Sequence, residues 1–192
     1  MPEGSLLAVD VGGGTQDLLL WEPGQPVENA VKLVLPAPTR IVARRLSRHT
    51  ARKEAVFLTG SLMGGGPLTG AVRRHLAAGL AVAATPEAAL TLHDNPAVVE
   101  QWGVVLTDTP PPGAVPVVLG DIDLKTLLQV FSAYEIPAPA HFAVAVQDHG
   151  FSPKASNREF RFQQWQEFIR QGGRLPELAY LDPPAVFTRM RA

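Results

Sequence analysis

Short apolar runs separated by turn residues organise this chain. Leu6 to Val9 is one such run, ending in Asp10, and Leu18 to Trp21 is a second. Between them lies Val11-Gly12-Gly13-Gly14-Thr15-Gln16-Asp17, so the pattern predicts a β-hairpin with Asp10 to Gln16 as its turn. Lys32 to Leu35 reads as a third strand, stopped by Pro36. Thr39 is placed to cap a helix to about Arg48, with Ile41, Val42 and Leu46 as its apolar stripe. Ala55 to Leu58 predicts a fourth strand, and Thr59 to Pro67 a Gly-rich turn into a helix that Gly79 ends. Leu80 to Ala84 is a further strand. Pro86 to about Trp102 reads as mostly helical, interrupted at Asn95-Pro96. Val104 to Leu106 and Val115 to Leu119 are short strands. Asp121 or Asp123 caps an amphipathic helix carrying Leu124, Leu127, Leu128 and Phe131. Phe142 to Val146 is a strand that runs into Gln147-Asp148-His149-Gly150. Ser156 and Glu159 form a capping-box pattern ahead of a helix with Phe162, Trp165, Phe168 and Ile169, closed by Gly172-Gly173. Phe160, Phe162, Trp165 and Phe168 are expected in a core, some of them exposed where a further domain would pack. Strands alternating with helices over short loops predict an α/β fold.

Composition narrows the function classes. Lys plus Arg total 17 and Asp plus Glu 18, a net charge of −1, which argues against a dedicated nucleic-acid binder. Arg40, Arg44, Arg45, Arg48, Arg52 and Lys53 make one helix and its exit basic, read as a solvated face. The 17 Gly and 18 Pro imply many tight turns. There is no Cys, which removes disulfide scaffolds, thiol catalysis and Cys-ligated zinc or iron–sulfur clusters, and suits the cytoplasm. No run of about 18 apolar residues predicts a membrane span. The opening MPEGSLLAVD has no basic n-region, so it does not read as a signal peptide.

Three places carry candidate chemistry. The first is the Gly12-Gly13-Gly14 turn with Asp10, Thr15 and Gln16. Glycine lets the backbone approach a ligand and turn its N–H groups toward an anion. Thr15 adds a hydroxyl, and Asp10 at the strand end suits a hydrated Mg²⁺. A plain hairpin with a loose glycine turn is the alternative. No Lys-Ser/Thr pair and no helix follow, so this is neither a P-loop nor a dinucleotide fingerprint. The second is Gly60 to Gly66, where Gly64, Gly65 and Gly66 lead into a helix N-terminus able to hold an anion. An ordinary strand-to-helix turn is the alternative there. The third is Gln147-Asp148-His149 at a strand's carboxyl end. Gln147 could orient a water, Asp148 act as base or hold a metal through water, and His149 shuttle protons. The alternative is a polar turn. His49, His75, His93 and His141 show no ligand spacing.

The stretch strand, Asp10-x-Gly12-x-x-Thr15, strand resembles the first phosphate loop of the actin-like ATPases, the superfamily of actin, seventy-kilodalton heat-shock chaperones, sugar kinases and activators of radical enzymes. More narrowly, VDVGGGTQDLLLW, KLVLPAPT, LTGSLMGGGP, VAVQDHGFSP with SNREFRF, and PPAVFTRMRA together resemble one family of uncharacterised prokaryotic proteins labelled as a pyruvate formate-lyase activating enzyme. A radical S-adenosylmethionine activator needs three Cys for its cluster, so the label is not taken as an activity.

The superfamily resemblance implies an actin-like (ribonuclease H-like) first domain over residues 1–180, a mixed sheet flanked by helices with the phosphate hairpin at its start. Residues 86–140 would form an inserted or subsidiary lobe. Residues 181–192 would lead to a second domain that this chain lacks, because family members are longer. The implied ligands are ATP and Mg²⁺. The hairpin would grip the β- and γ-phosphates and Asp10 orient Mg²⁺ through water, while Gln147 or Asp148 would polarise the attacking water. The implied activity is that of an ATPase or phosphotransferase of unknown substrate. A non-catalytic nucleotide-binding or assembly module, or a small-molecule kinase in which Asp148 deprotonates a hydroxyl, are the competing readings.

Overall fold

Alternation of apolar and polar residues builds the first hairpin. In β1 (Leu6–Val11), Leu7, Val9 and Val11 are buried, and in β2 (Thr15–Trp21) so are Gln16, Leu18 and Leu20. The strands pair antiparallel with Val11 opposite Gln16, so the turn is shorter than the sequence predicts. It comprises Gly12 to Gly14 alone, and Asp10 and Gln16 belong to the strands. β3 (Val31–Pro36) continues the meander along β2.

The computed structural model describes residues 3–63, 65–148, 150, 152, 156–187 and 190. They fall in two compact units, 1–146 and 147–192. After β3 come α1 (Pro38–Ala51), β4 (Val56–Gly60), α2 (Gly66–Ala77), β5 (Val82–Ala84), α3 (Pro86–Leu92), α4 (Pro96–Gln101), β6 (Val105–Leu106), β7 (Val115–Leu119), α5 (Leu124–Ala133) and β8 (His141–Val146). The second unit holds α6 (Asn157–Arg170), opened by the capping box of Ser156 and Glu159.

The first unit contains two sheets where the sequence reading expected one mixed sheet. The first, in the order β3-β2-β1-β8, is mixed, since β8 runs parallel to β1 with Val146 beside Val11. The second, β6-β5-β4-β7, is wholly parallel. Its inner strands read as unbroken apolar runs, with Val56 to Leu58 and Val82 to Ala84 all buried, because helices cover parallel sheets on their faces. One core joins Val42 and Leu46 of α1, Leu68 and Val72 of α2, and Leu58, Val82 and Val117 of the parallel sheet. The other joins Leu7, Val9, Leu18 and Leu20 of the mixed sheet to Leu127 and Phe131 of α5 and to Met63.

Local signals set most element ends. Thr85, Asn95 and Asp123 cap α3, α4 and α5 through their side chains. Thr39 does not cap α1. It lies inside the helix, buried, and its Oγ1 accepts from the Leu68 backbone N–H at 3.4 Å. Gly60 ends β4 at φ +74°, where a Cβ would sit 2.5 Å from the Leu119 carbonyl oxygen. Of the α6 aromatics expected in a core, Phe160 and Phe168 are half-buried, while Phe162 and Trp165 are about half exposed.

Candidate functional site

The hairpin tip is tied down on one side and open on the other. The Gly12 N–H donates to the Thr15 carbonyl at 2.9 Å and closes the turn. The Gly14 carbonyl accepts from the Ala37 N–H at 3.1 Å and from Arg40 Nη1 at 3.5 Å, so the start of α1 abuts the tip. A Cβ on Gly12 would meet the Thr15 oxygen at 2.7 Å. A Cβ on Gly13 or Gly14 would meet nothing within 4 Å, and neither residue has a left-handed φ.

Asp10 and Asp17 stand opposite each other on the exposed face of the hairpin, and Thr15 Oγ1 donates to Asp17 Oδ2 at 3.3 Å. Carboxylates so paired repel unless a cation lies between them. Gln16 turns to the other face. It is 6% exposed, its Nε2 donates to the Pro36 carbonyl at 3.1 Å, and it lines a cavity of about 300 Å³ with Ile41, Asp121 and Ile122. The structure thus gathers Asp10, Gly12, Gly13, Gly14 and Thr15 at one tip, adds Asp17 and Arg40, and sets Gln16 apart. The sequence reading placed Arg40 on a solvated helix face. Its start two residues after Pro38, at the end of the strand beside the hairpin, was the available signal.

The loop after β4 lies where the strand order reverses, with β5 on one side of β4 and β7 on the other. Many of its amides are already bonded. The Leu62 N–H donates to Thr91 Oγ1 at 3.2 Å and the Met63 N–H to Asp121 Oδ1 at 2.7 Å. The Leu68 N–H goes to Thr39, and Pro67 has none. Gly65 is needed for close approach, since a Cβ there would run into the Thr91 carbonyl and Thr69 Oγ1. Gly66 faces open space, and Gly64 lies outside the described residues. Thr39, Thr91 and Asp121 hold this loop from distant positions, and no local spacing announces them.

The parallel pairing of β1 and β8 brings their carboxyl ends to one sheet edge. Beyond Val146 the chain enters the second unit. There Gln147 is exposed, and Asp148 accepts from the Gly150 N–H at 2.8 Å and from the Met190 N–H at 3.0 Å, so both its oxygens hold backbone. His149 lies outside the described residues. Among the described residues no group of three or more His, Cys, Asp or Glu is placed to hold a metal ion, and no helix is long and apolar enough to cross a membrane.

A family model described as "Putative pyruvate format-lyase activating enzyme (DUF1786)" matches residues 63–192. No curated relative matches the chain. The matched stretch begins in the loop after β4 and takes in Gln147-Asp148, while the hairpin lies before it. With about two thirds of its length matched, the chain belongs to this family.

Proposed function

We propose that this chain carries the phosphate-binding hairpin of an actin-like ATPase or phosphotransferase that works with ATP and Mg²⁺. The supporting observation is the pair Gly13 and Gly14. The fold does not require glycine at either position, since neither φ nor crowding excludes a side chain. Both cost the folded state conformational entropy. Their bare, exposed amides suit an anion arriving from outside.

The surrounding residues fit that ligand. The Gly13 and Gly14 N–H groups and the Thr15 hydroxyl would donate to phosphate oxygens, and the Arg40 guanidinium would add charge. Asp10 and Asp17 offer the oxygen ligands a hydrated Mg²⁺ prefers, and the ion would relieve their mutual repulsion. When bound, Mg²⁺ supplies charge neutralisation on the phosphates. The mixed first sheet is of the kind the actin-like resemblance implies. These residues contain no Cys, so the radical chemistry in the family's description has no cluster ligands here.

One exposed loop gives a few hydrogen bonds of about 0.5–1.5 kcal/mol each, or about 1.5–3 when charged. That sum supports a Kd near ~1 mM for the 192-residue chain, where about −4 kcal/mol suffices. Titration of Mg-ATP should shift the amide resonances of Gly12 to Thr15 in ¹⁵N–¹H spectra. Gly13→Ala and Gly14→Ala should leave stability unchanged or raise it by about 0.4–1 kcal/mol. They should weaken the shifts at least several-fold. Perturbations that avoid the hairpin, or alanine variants that bind as the parent does, would end the proposal.

A further inference from the structure

A second feature, independent of the nucleotide reading, lies along the other flank of α1. Arg45, Arg48, His49 and Arg52 recur at helical spacing, so they form one stripe. They face Pro116, Val117 and Val118 of β7 across a groove of about 480 Å³. That groove joins the cavity of about 300 Å³ described above, because Arg45 and Val118 line both. β7 is the edge strand of the parallel sheet. The Val115 N–H donates to the Ala55 carbonyl on the β4 side. By the alternation of a parallel ladder, Val117 and Leu119 also face β4, and Pro116 and Val118 present their main-chain groups to the open edge.

The charges in this groove are unevenly engaged. Arg45 meets Asp123 at 3.0 Å, and His49 meets Glu54 at 2.7 Å. Among the described residues Arg48 and Arg52 make no ion pair. Arg48 in the last turn of α1 and Arg52 at its C-cap are about 6 Å apart along the axis. Same-face residues of an extended chain repeat at about 6.6 Å. An added strand with acidic residues at alternate positions has a charge spacing close to that of the arginines. Its backbone would find the N–H and C=O of Val118 and the C=O of Pro116.

We infer that the α1–β7 groove is a docking site for an extended acidic peptide of a partner protein, which adds a strand to the free edge of β7 and pairs its carboxylates with Arg48 and Arg52. An edge strand beside a basic helix flank suits strand addition, in which main-chain bonds give affinity and flanking side chains give selectivity. Pro116 takes one donor away from the edge, and the arginines repel a basic partner. The lost donor weakens pairing with any strand, and the arginines tip the balance toward an acidic one. The acidic partner is the one class of strand that this edge favours.

The test uses the full chain and a fluorescein-labelled peptide of about nine residues alternating Glu and Val. Anisotropy should show saturable binding that weakens as salt rises. The same peptide with Lys for Glu should not bind. Arg48→Glu with Arg52→Glu changes exposed side chains only and should cost at least ~10-fold in Kd. Val118→Pro, which removes the outward N–H, should weaken the peptide several-fold, as should N-methylation of alternate valines in the peptide. The unfolding midpoints of the variants establish that they remain folded. Polyphosphate or a single-stranded oligonucleotide that binds as tightly as the peptide would overturn strand addition in favour of a plain anion patch. So would N-methylated peptide binding unchanged, and absence of binding would leave the arginines as edge guards alone.

Discussion

His75 is the polar side chain that folding treats most severely. It is fully buried on α2, and its Nδ1 lies 2.8 Å from Thr50 Oγ1. That hydroxyl also donates to the Leu46 carbonyl at 3.1 Å. Nε2 has no hydrogen-bond partner among the described residues. Burial holds the His75 pKa below its ordinary value of 6.5, helped by the nearby His49 ring and opposed by the Ala81 carbonyl. Below pH 6.5 the unfolded chain takes a proton that the folded chain refuses, so His75 makes stability fall with falling pH until its folded pKa is reached. His75→Phe removes that proton and should flatten the urea midpoint between about pH 7.5 and pH 5.5 relative to the parent. Equal pH slopes in the two proteins would assign the dependence to other groups. Gln16 shows how much a single residue says before a structure exists. It shares parity with Leu18 and Leu20, so the alternation that buries them also turns Gln16 inward, and its place away from the tip was legible.

Helix α5 shows what an element's end contributes. Asp123 caps it, with Oδ1 accepting from the Thr126 N–H at 3.1 Å and Oδ2 meeting Arg45. The Thr126 N–H is the main cause holding the Asp123 pKa below 3.8, with the Arg45 hydrogen bond and charge adding to it. That stabilisation is present above pH 3.8 and is lost as pH falls through the lowered value, well below the window in which His75 acts. Asp123→Ala should cost about 1 kcal/mol at neutral pH, the usual worth of an N-cap. Asp123→Asn keeps the acceptor and should cost less, and chemical denaturation of both variants separates cap from charge. Equal losses would place the effect in the Arg45 pair. Caps of this kind were legible because they are local, as Asp123 and Ser156 show. Thr39 was misread because its partner, Leu68, lies 29 positions on. The basic face of α1 is solvated as the sequence predicts, with Arg40, Arg44, Arg48 and Arg52 exposed, and only the groove it forms with β7 was not legible.

At the scale of the molecule, pairing across long stretches of chain decided what local pattern could not. β8 joins β1 from the far end of the first unit, and β7 returns to the side of β4 away from β5. The presence of two sheets was nonetheless half visible. Leu7 to Leu20 alternates, while Val56 to Leu58 and Val82 to Ala84 do not, and that difference separates a mixed sheet with an exposed face from a parallel sheet covered on both. Both core clusters lie within the first unit, and among the described residues no side chain beyond Pro139 is buried. The second unit, residues 147–192, has Phe162, Trp165, Ile169 and Leu175 substantially exposed. A segment of that size buries too little apolar surface to offset its chain entropy alone. Residues 1–146 should therefore fold by themselves, with a urea midpoint close to that of the whole chain. The m-value should also be nearly the same, because the surface exposed on unfolding comes from the two cores. Residues 147–192 alone should show little helix by circular dichroism beyond a frayed α6, whose capping box supplies at most about 1–2 kcal/mol. A drop of more than about 2 kcal/mol on removing residues 147–192 would contradict an autonomous first unit, as would a cooperative transition in the isolated second one.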